Sequence, residues 1–150
     1  MLEQPPLLEY LRRLLRPKAT SEQVARRMRA VRRTGTKPEV VVQGLVRQLG
    51  IRFRVASRAL PGSPDLSNRR AGWAIFVHGC FWHGHAGCRL SSTPKSNVGF
   101  WTAKLEANRR RDRRKTRELR ALGLTVFTIW QCETRDQKRL LARLDRSLPR

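Results

Sequence analysis

Within eleven residues, 78–88, the sequence HGCFWHGHAGC gathers all three histidines of the chain and two of its three cysteines. The third, Cys132, lies two residues beyond the apolar run LTVFTIW (124–130). A second apolar run, AGWAIFV (71–77), ends immediately before the cluster. If the two runs are neighbouring strands, Cys80 and Cys132 leave the same sheet edge side by side. Cys80, His85, Cys88 and Cys132 would then close a three-sulfur, one-nitrogen site, the usual makeup of structural zinc. Such a site is closed, and leaves His78 and His83 free. The competing reading makes each cysteine a small core residue, since the spacing is not a paired CxxC. An odd cysteine count, with no secretory leader in MLEQPPLLEYLRRLLRP, argues against a disulfide framework and for a cytoplasmic protein.

The rest of the pattern predicts an α/β fold. Residues 1–17 read as an N-terminal arm, and 18–150 as one domain. A helix follows Ser21 through Val24, Met28 and Val31, and Thr34-Gly35-Thr36 breaks it. The next helix starts at Thr36 or Lys37 with Pro38 in its first turn and ends before Gly50, its stripe being Val42, Leu45, Val46 and Leu49. Alternation over Ile51, Phe53 and Val55 predicts a strand. A turn over 60–64 leads to a short strand from Asp65, and 71–77 returns as a buried one. The loop from His78 to about Asn97 has little periodicity. A long helix runs from about Phe100 to Leu122 and stops at Gly123. LTVFTIW is a second buried strand, and a helix covers roughly 134–147. Helices alternating with strands in this order imply a central mixed sheet flanked by helices.

Charge narrows the partner. Lys and Arg total 33 against 11 Asp and Glu, a net +22, which points to a polyanion and most simply to nucleic acid. No apolar run approaches the roughly 18 residues of a membrane span. No basic amphipathic segment followed by an anchor suggests a lipid surface. The stretch Lys104–Arg120 carries nine basic residues against Glu106, Asp112 and Glu118. Arg109, Arg110, Arg113 and Arg114 are its phosphate-contacting candidates. A solvated helix face is the plainer alternative.

Several residues could carry chemistry. Asp65, after a turn, could hold a hard divalent cation through oxygen, or simply form an Asx turn. Glu39 at a helix start suits the helix dipole. Asp112, the one acid in RRRDRRK (109–115), could balance its neighbours or orient a histidine. Phe81 and Trp82 stand in a Gly/His/Cys loop where a core is not obvious, and apolar wedges can open base steps. Trp101, at a helix start, could do the same or pack inward.

These segments together resemble the very short patch repair (Vsr) DNA mismatch endonucleases. The resemblance runs through MRAVRRTGTKPE (28–39), FRV and RALPGSPD (53–65), IFVHGCFWHGHAGC (75–88), FWTAKLEANRRRDRR (100–114) and TIWQC (128–132). It implies a restriction-endonuclease-like fold and nicking of DNA 5′ to the thymine of a T:G mismatch left by deamination of 5-methylcytosine. It implies magnesium on Asp65 and on the backbone carbonyl of Val77, with Glu39 near the metal's waters. It makes His78 and His83 catalytic, with Asp112 supporting one of them. It implies structural zinc on Cys80, His85, Cys88 and Cys132, and intercalation by Phe81, Trp82 and Trp101. The implied setting is a monomer on double-stranded DNA in a bacterial nucleoid, with mismatch-repair proteins and a DNA polymerase as candidate partners. Two departures stand out: Val77 where relatives have Thr, and Gln131 where the family reads WEC.

The expected chemistry is metal-assisted phosphodiester hydrolysis, with a histidine taking the proton of the attacking water. The rivals are a catalytically idle, zinc-stapled DNA-binding module and a nicking nuclease of the same fold without mismatch preference. Retention of Asp65, His78 and His83 favours the enzyme, and the aromatics favour mismatch reading.

Overall fold

A computed structural model describes residue 19 and residues 21–150; the arm expected over 1–17 lies outside them. Helix α1 (Glu22–Arg29) starts where Ser21 Oγ accepts the Val24 N–H at 3.2 Å. It buries no residue of its own, which is why it stops at Arg29 although the apolar spacing continues to Val31. Helix α2 (Lys37–Gln48) opens with a reciprocal cap. Thr36 Oγ1 accepts the Glu39 N–H, while the Glu39 carboxylate takes the Gly35 N–H at 2.8 Å and the Thr36 hydroxyl at 3.0 Å. Gly50, at φ +70°, turns the chain out of the helix.

Four strands form one sheet in the order β1 (Arg54–Val55), β2 (Leu66–Asn68), β3 (Trp73–His78), β4 (Thr125–Trp130). β1, β2 and β3 pair antiparallel; β3 and β4 pair parallel, with Trp73 opposite Thr125 and His78 opposite Trp130. A parallel pair needs a crossover, and helix α3 (Val98–Ala121) supplies it. Helix α4 (Gln137–Ser147) closes the chain.

Strand β3 is buried along its whole length, because helices cover both faces of the sheet. Trp73, Ile75 and Val77 point to one side, where Val42, Leu45 and Val46 of α2 and Leu140 and Leu144 of α4 join Leu66 and Ile129. Ala74 and Phe76 point to the other, against Leu60, Leu124 and Leu119 of α3. Side chains alternate along a strand, so His78 emerges on the α3 side. That parity brings the cluster under α3.

The strand expected over 51–55 is shorter than its pattern. Ile51 is drawn into the α2 core, and the Arg52 carbonyl is taken by the Asn68 side chain at 2.9 Å rather than by a ladder partner. The last helix begins later than expected, because 131–135 form a 3-10 turn. Glu133 fixes that turn, accepting the Trp130 N–H at 2.8 Å and pairing with Arg143 of α4.

Candidate functional site

The parallel register delivers the tails of β3 and β4 together. Cys80, His85, Cys88 and Cys132 have their ligand atoms all within 4.8 Å of one another. His85 Nδ1 lies 3.5 Å from Cys132 Sγ. Bonds of about 2.3 Å to sulfur and about 2.0 Å to nitrogen would put neighbouring ligands of a tetrahedral ion roughly 3.5–3.8 Å apart, so the four atoms are shaped to hold a metal. Burial pushes the Cys80 thiol up to about 12, and a bound dication would offset that cost of ionising it. The His85 ring stacks on Trp130 at 4.1 Å, which fixes its plane.

A second group lies on the other side of Trp130. The rings of His78 and His83 stack at 3.9 Å, nearly parallel, and His78 meets the Trp130 edge at 5.4 Å. His83 Nδ1 is 2.6 Å from Asp112 Oδ2. Burial works to raise Asp112, but the bond to His83 and the charges of the two histidines and Lys115 outweigh it, and the acid is held below its usual value. An ionised Asp112 must accept, so Nδ1–H of His83 donates and Nε2 is the ring nitrogen left for other contacts. Burial first, and then the charge of His83, pull His78 down to about 4, so it is a neutral imidazole near pH 7.

Asp65 sits just before β2, its Oδ2 accepting the Val77 N–H at 2.7 Å. Burial pushes its carboxyl up to about 6; the Val77 bond opposes this, and the charge of Glu39 adds to the rise. Neither Asp65 nor Glu39 has an ion-pair partner among the described residues. Two neighbouring carboxylates, one with an oxygen uncommitted, could hold a hard cation. Glu39, read from its position as a favourable helix-dipole charge, thus completes the cap of α2 and lies close enough to Asp65 to act on it.

A cleft of about 1100 Å3 opens beside this group, lined by Glu39, Val77, Trp82, His83, Trp101 and Gln131 among others; Asp65, His78 and Asp112 are not in its lining. Its rim is a knot of rings. Phe81 meets Trp82 at 5.1 Å and Trp101 at 5.3 Å, and Phe100 meets Trp101 at 5.3 Å, all edge to face. All four are half-buried; Trp82, Phe100 and Trp101 line the cleft, and Phe81 packs against Trp82 and Trp101.

On α3, Leu105, Asn108, Asp112, Lys115 and Leu119 recur at steps of three and four and turn inward. Asn108 donates to the Trp82 carbonyl at 2.8 Å. Arg109, Arg110, Arg113 and Arg114 are exposed; Arg110 and Arg114 rest loosely on Glu106 and Glu118 at 3.5 and 3.8 Å. Phe100, Lys104, Asn108 and Arg111 also line the cleft and were not picked out from the sequence; the inward stripe would have found Asn108.

Comparison with known proteins agrees with this geometry. The family model described as DNA mismatch endonuclease Vsr matches residues 17–89, the stretch from Glu39 to Cys88 included. The type II nicking enzyme V.XorIIP of Xanthomonas oryzae pv. oryzae is 48% identical over 78% of this chain and 85% of its own. The chain belongs to the Vsr family. The DNA mismatch endonuclease Vsr of Escherichia coli is 37% identical over 77% of this chain and 74% of its own. The type II nicking enzyme V.HpaIIP of Haemophilus parainfluenzae is 39% identical over 75% and 81%. This Vsr-family chain is therefore a nicking DNA endonuclease, a hydrolase acting on DNA. No helix among its described residues is long and apolar enough to cross a membrane.

The Gln131 departure has a structural reading. Its Oε1 accepts the Cys80 N–H at 3.3 Å, and the side chain lines the cleft of this Vsr-family fold. Gln131→Glu would keep that bond but set a negative charge in the cleft wall. DNA binding at low salt is expected to weaken about two- to five-fold, a surface-charge effect of under about 1 kcal/mol that closes as salt rises. Titration of a duplex at two salt concentrations measures it.

Proposed function

We propose that this endonuclease nicks the strand 5′ to the thymine of a T:G mismatch, by magnesium-assisted hydrolysis in the cleft beside Asp65 and His83. The observation that carries the reading is one cleft lined by Glu39, the neighbour of Asp65, by His83, which Asp112 orients, and by the rings of Trp82, Phe100 and Trp101. A nuclease without mismatch preference would have no use for that rim. An idle binding module would have no use for the other two.

Asp65 and the Val77 backbone carbonyl would hold the magnesium, with Glu39 beside them. When bound, it supplies positive charge against the scissile phosphate. His83, its Nδ1 proton committed to Asp112, offers Nε2 to take a proton from the attacking water. His78, kept neutral by burial, backs His83 face to face and can donate a hydrogen bond toward the reacting group. Cys80, His85, Cys88 and Cys132 would hold zinc as a structural staple with no step of its own. Arg109, Arg110, Arg113 and Arg114 would supply sequence-independent attraction to phosphates. In this reading the enzyme acts as a monomer, its domain spanning 18–150 behind a separate arm, with mismatch-repair proteins and a polymerase acting after the nick. The nick position tests the reaction: end-labelled T:G duplex should break only 5′ to the mismatched thymine, and breaks elsewhere would refute it.

Mismatch reading should run through the rings. Unstacking costs a few kcal/mol per step and is cheapest at a mispair, and stacking on a ring returns roughly 1–3 kcal/mol. Trp82→Ala should therefore erode the T:G preference more than total DNA affinity, whereas replacing Arg113 or Arg114 should lower affinity for every duplex. Competition against matched duplex separates the two. Full discrimination by Trp82→Ala would make the rings packing only.

A further inference from the structure

A second groove, about 760 Å3, lies along the β1 edge of the sheet, away from the cleft. Arg52, Arg54, Arg58, Arg69 and Arg70 line it, and no acidic residue does. All five are exposed, and none has an ion-pair partner among the described residues. Five guanidinium groups left together repel one another, and no acid among the described residues lining the groove offsets that.

The backbone that carries them is fixed. Asn68 donates to the Arg52 carbonyl at 2.9 Å, and its Oδ1 accepts the Ala71 N–H at 2.9 Å. Its own carbonyl accepts the Gly72 N–H at 2.9 Å. One residue therefore locks the Arg52 segment to the turn bearing Arg69 and Arg70. On the other side, the hydroxyls of Ser57 and Ser67 bridge at 2.6 Å beneath Arg58. Guanidinium forks on rigid backbone suit paired contacts to phosphate oxygens.

The groove also faces the right way. Arg54 is opposite Ser67, and Ser67 opposite Ala74, so these side chains share the sheet face covered by α3. Leu60, in the groove wall, packs with Leu119 near the end of α3. The cleft uses the first half of α3, through Phe100, Lys104, Asn108 and Arg111. From Asn108 to Leu119 is about 16 Å along the helix axis, or about five base-pair steps.

We propose that the arginine groove at the β1 edge is a second DNA contact, gripping the phosphate backbone of the same duplex about half a helical turn away from the nicked step. It rests on the reading that the duplex is nicked in the cleft. It adds affinity and sets a minimum length of flanking duplex on one side, and reads no base.

The test uses the whole protein and two T:G duplexes closed by hairpin loops, with about five or about fourteen base pairs on each side of the mismatch. The variant is Arg54→Gln/Arg69→Gln/Arg70→Gln; all three side chains are exposed, and a melting curve checks the fold. The variant should lose about tenfold or more of its affinity for the long duplex at low salt, and the slope of log affinity against log salt should fall by roughly 2–3. Affinity for the short duplex and its nicking should match the wild type. Equal losses on both duplexes, or none on either, would overturn the proposal. So would a defect confined to polyglutamate used as competitor, which would assign the groove to an acidic protein. Absence of T:G nicking by the wild type would count against the cleft reading alone and leave the binding comparison standing.

Discussion

Cys132→Ser protein should purify without its metal and melt far below the parent, even though the residue is remote from the scissile phosphate. Cys132 is the one ligand contributed from beyond β4; the other three sit in the loop after β3. That loop has little regular structure and no apolar stripe to hold it. Beyond ring contacts to Trp101 and Trp130, it is tied by the Gln131 bond to Cys80, the Asn108 bond to Trp82, the His83–Asp112 pair and the Cys132 ligand. Metal binding at a structural site of this kind is worth about 10–16 kcal/mol in isolated peptides, as much as the whole stability of an ordinary domain. Cys88→Ser should behave alike. Elemental analysis should find one equivalent of zinc in the parent and little in either variant. Active protein with no zinc would refute the staple.

The second large effect is on chemistry with the fold intact. Asp65→Asn keeps an oxygen for the Val77 N–H, so the strand junction survives while the charge that would hold the cation is lost. His83→Ala removes the proton acceptor, and Asp112→Asn leaves the ring but no longer fixes its Nδ1 as the donor. Each should lower single-turnover nicking by about 10²–10⁴. Binding to T:G duplex should stay within a few-fold, because the arginines and rings are untouched. Gel-shift titration beside a nicking time course reads both. Wild-type rates in Asp65→Asn and His83→Ala would mean that the site lies elsewhere.

Much of this was legible in the sequence because it rests on strong local signals. β3 read as a buried apolar run and is one, and Gly123 marked the end of α3; β4 also read as buried, but it is the edge strand and buries only Ile129. The metal group followed from one further condition, that the two runs are neighbours, and the register of His78 opposite Trp130 meets it. What was not legible depends on tertiary packing. The His78–His83 stack, and Trp130 between the two clusters, need the parity of β3 and the closeness of β4 together. Glu39 reads from its neighbours alone as a helix-dipole charge; its share in the cap and its nearness to Asp65 do not. The β1 alternation overstated the strand, because Ile51 serves the core and Asn68 takes the carbonyl of Arg52. Phe100 carries no signal that separates it from a core ring, and its place in the cleft wall shows only in its packing on Trp101.

The central claim is a metal-dependent nick directed by a T:G mispair. Nicking of otherwise identical T:G, A:C and fully matched duplexes, each with magnesium or with EDTA, tests it in one experiment. The account predicts cleavage of the T:G duplex with magnesium, little on the other two, and none with EDTA. Equal nicking of matched and T:G duplexes, or nicking that survives EDTA, would contradict it.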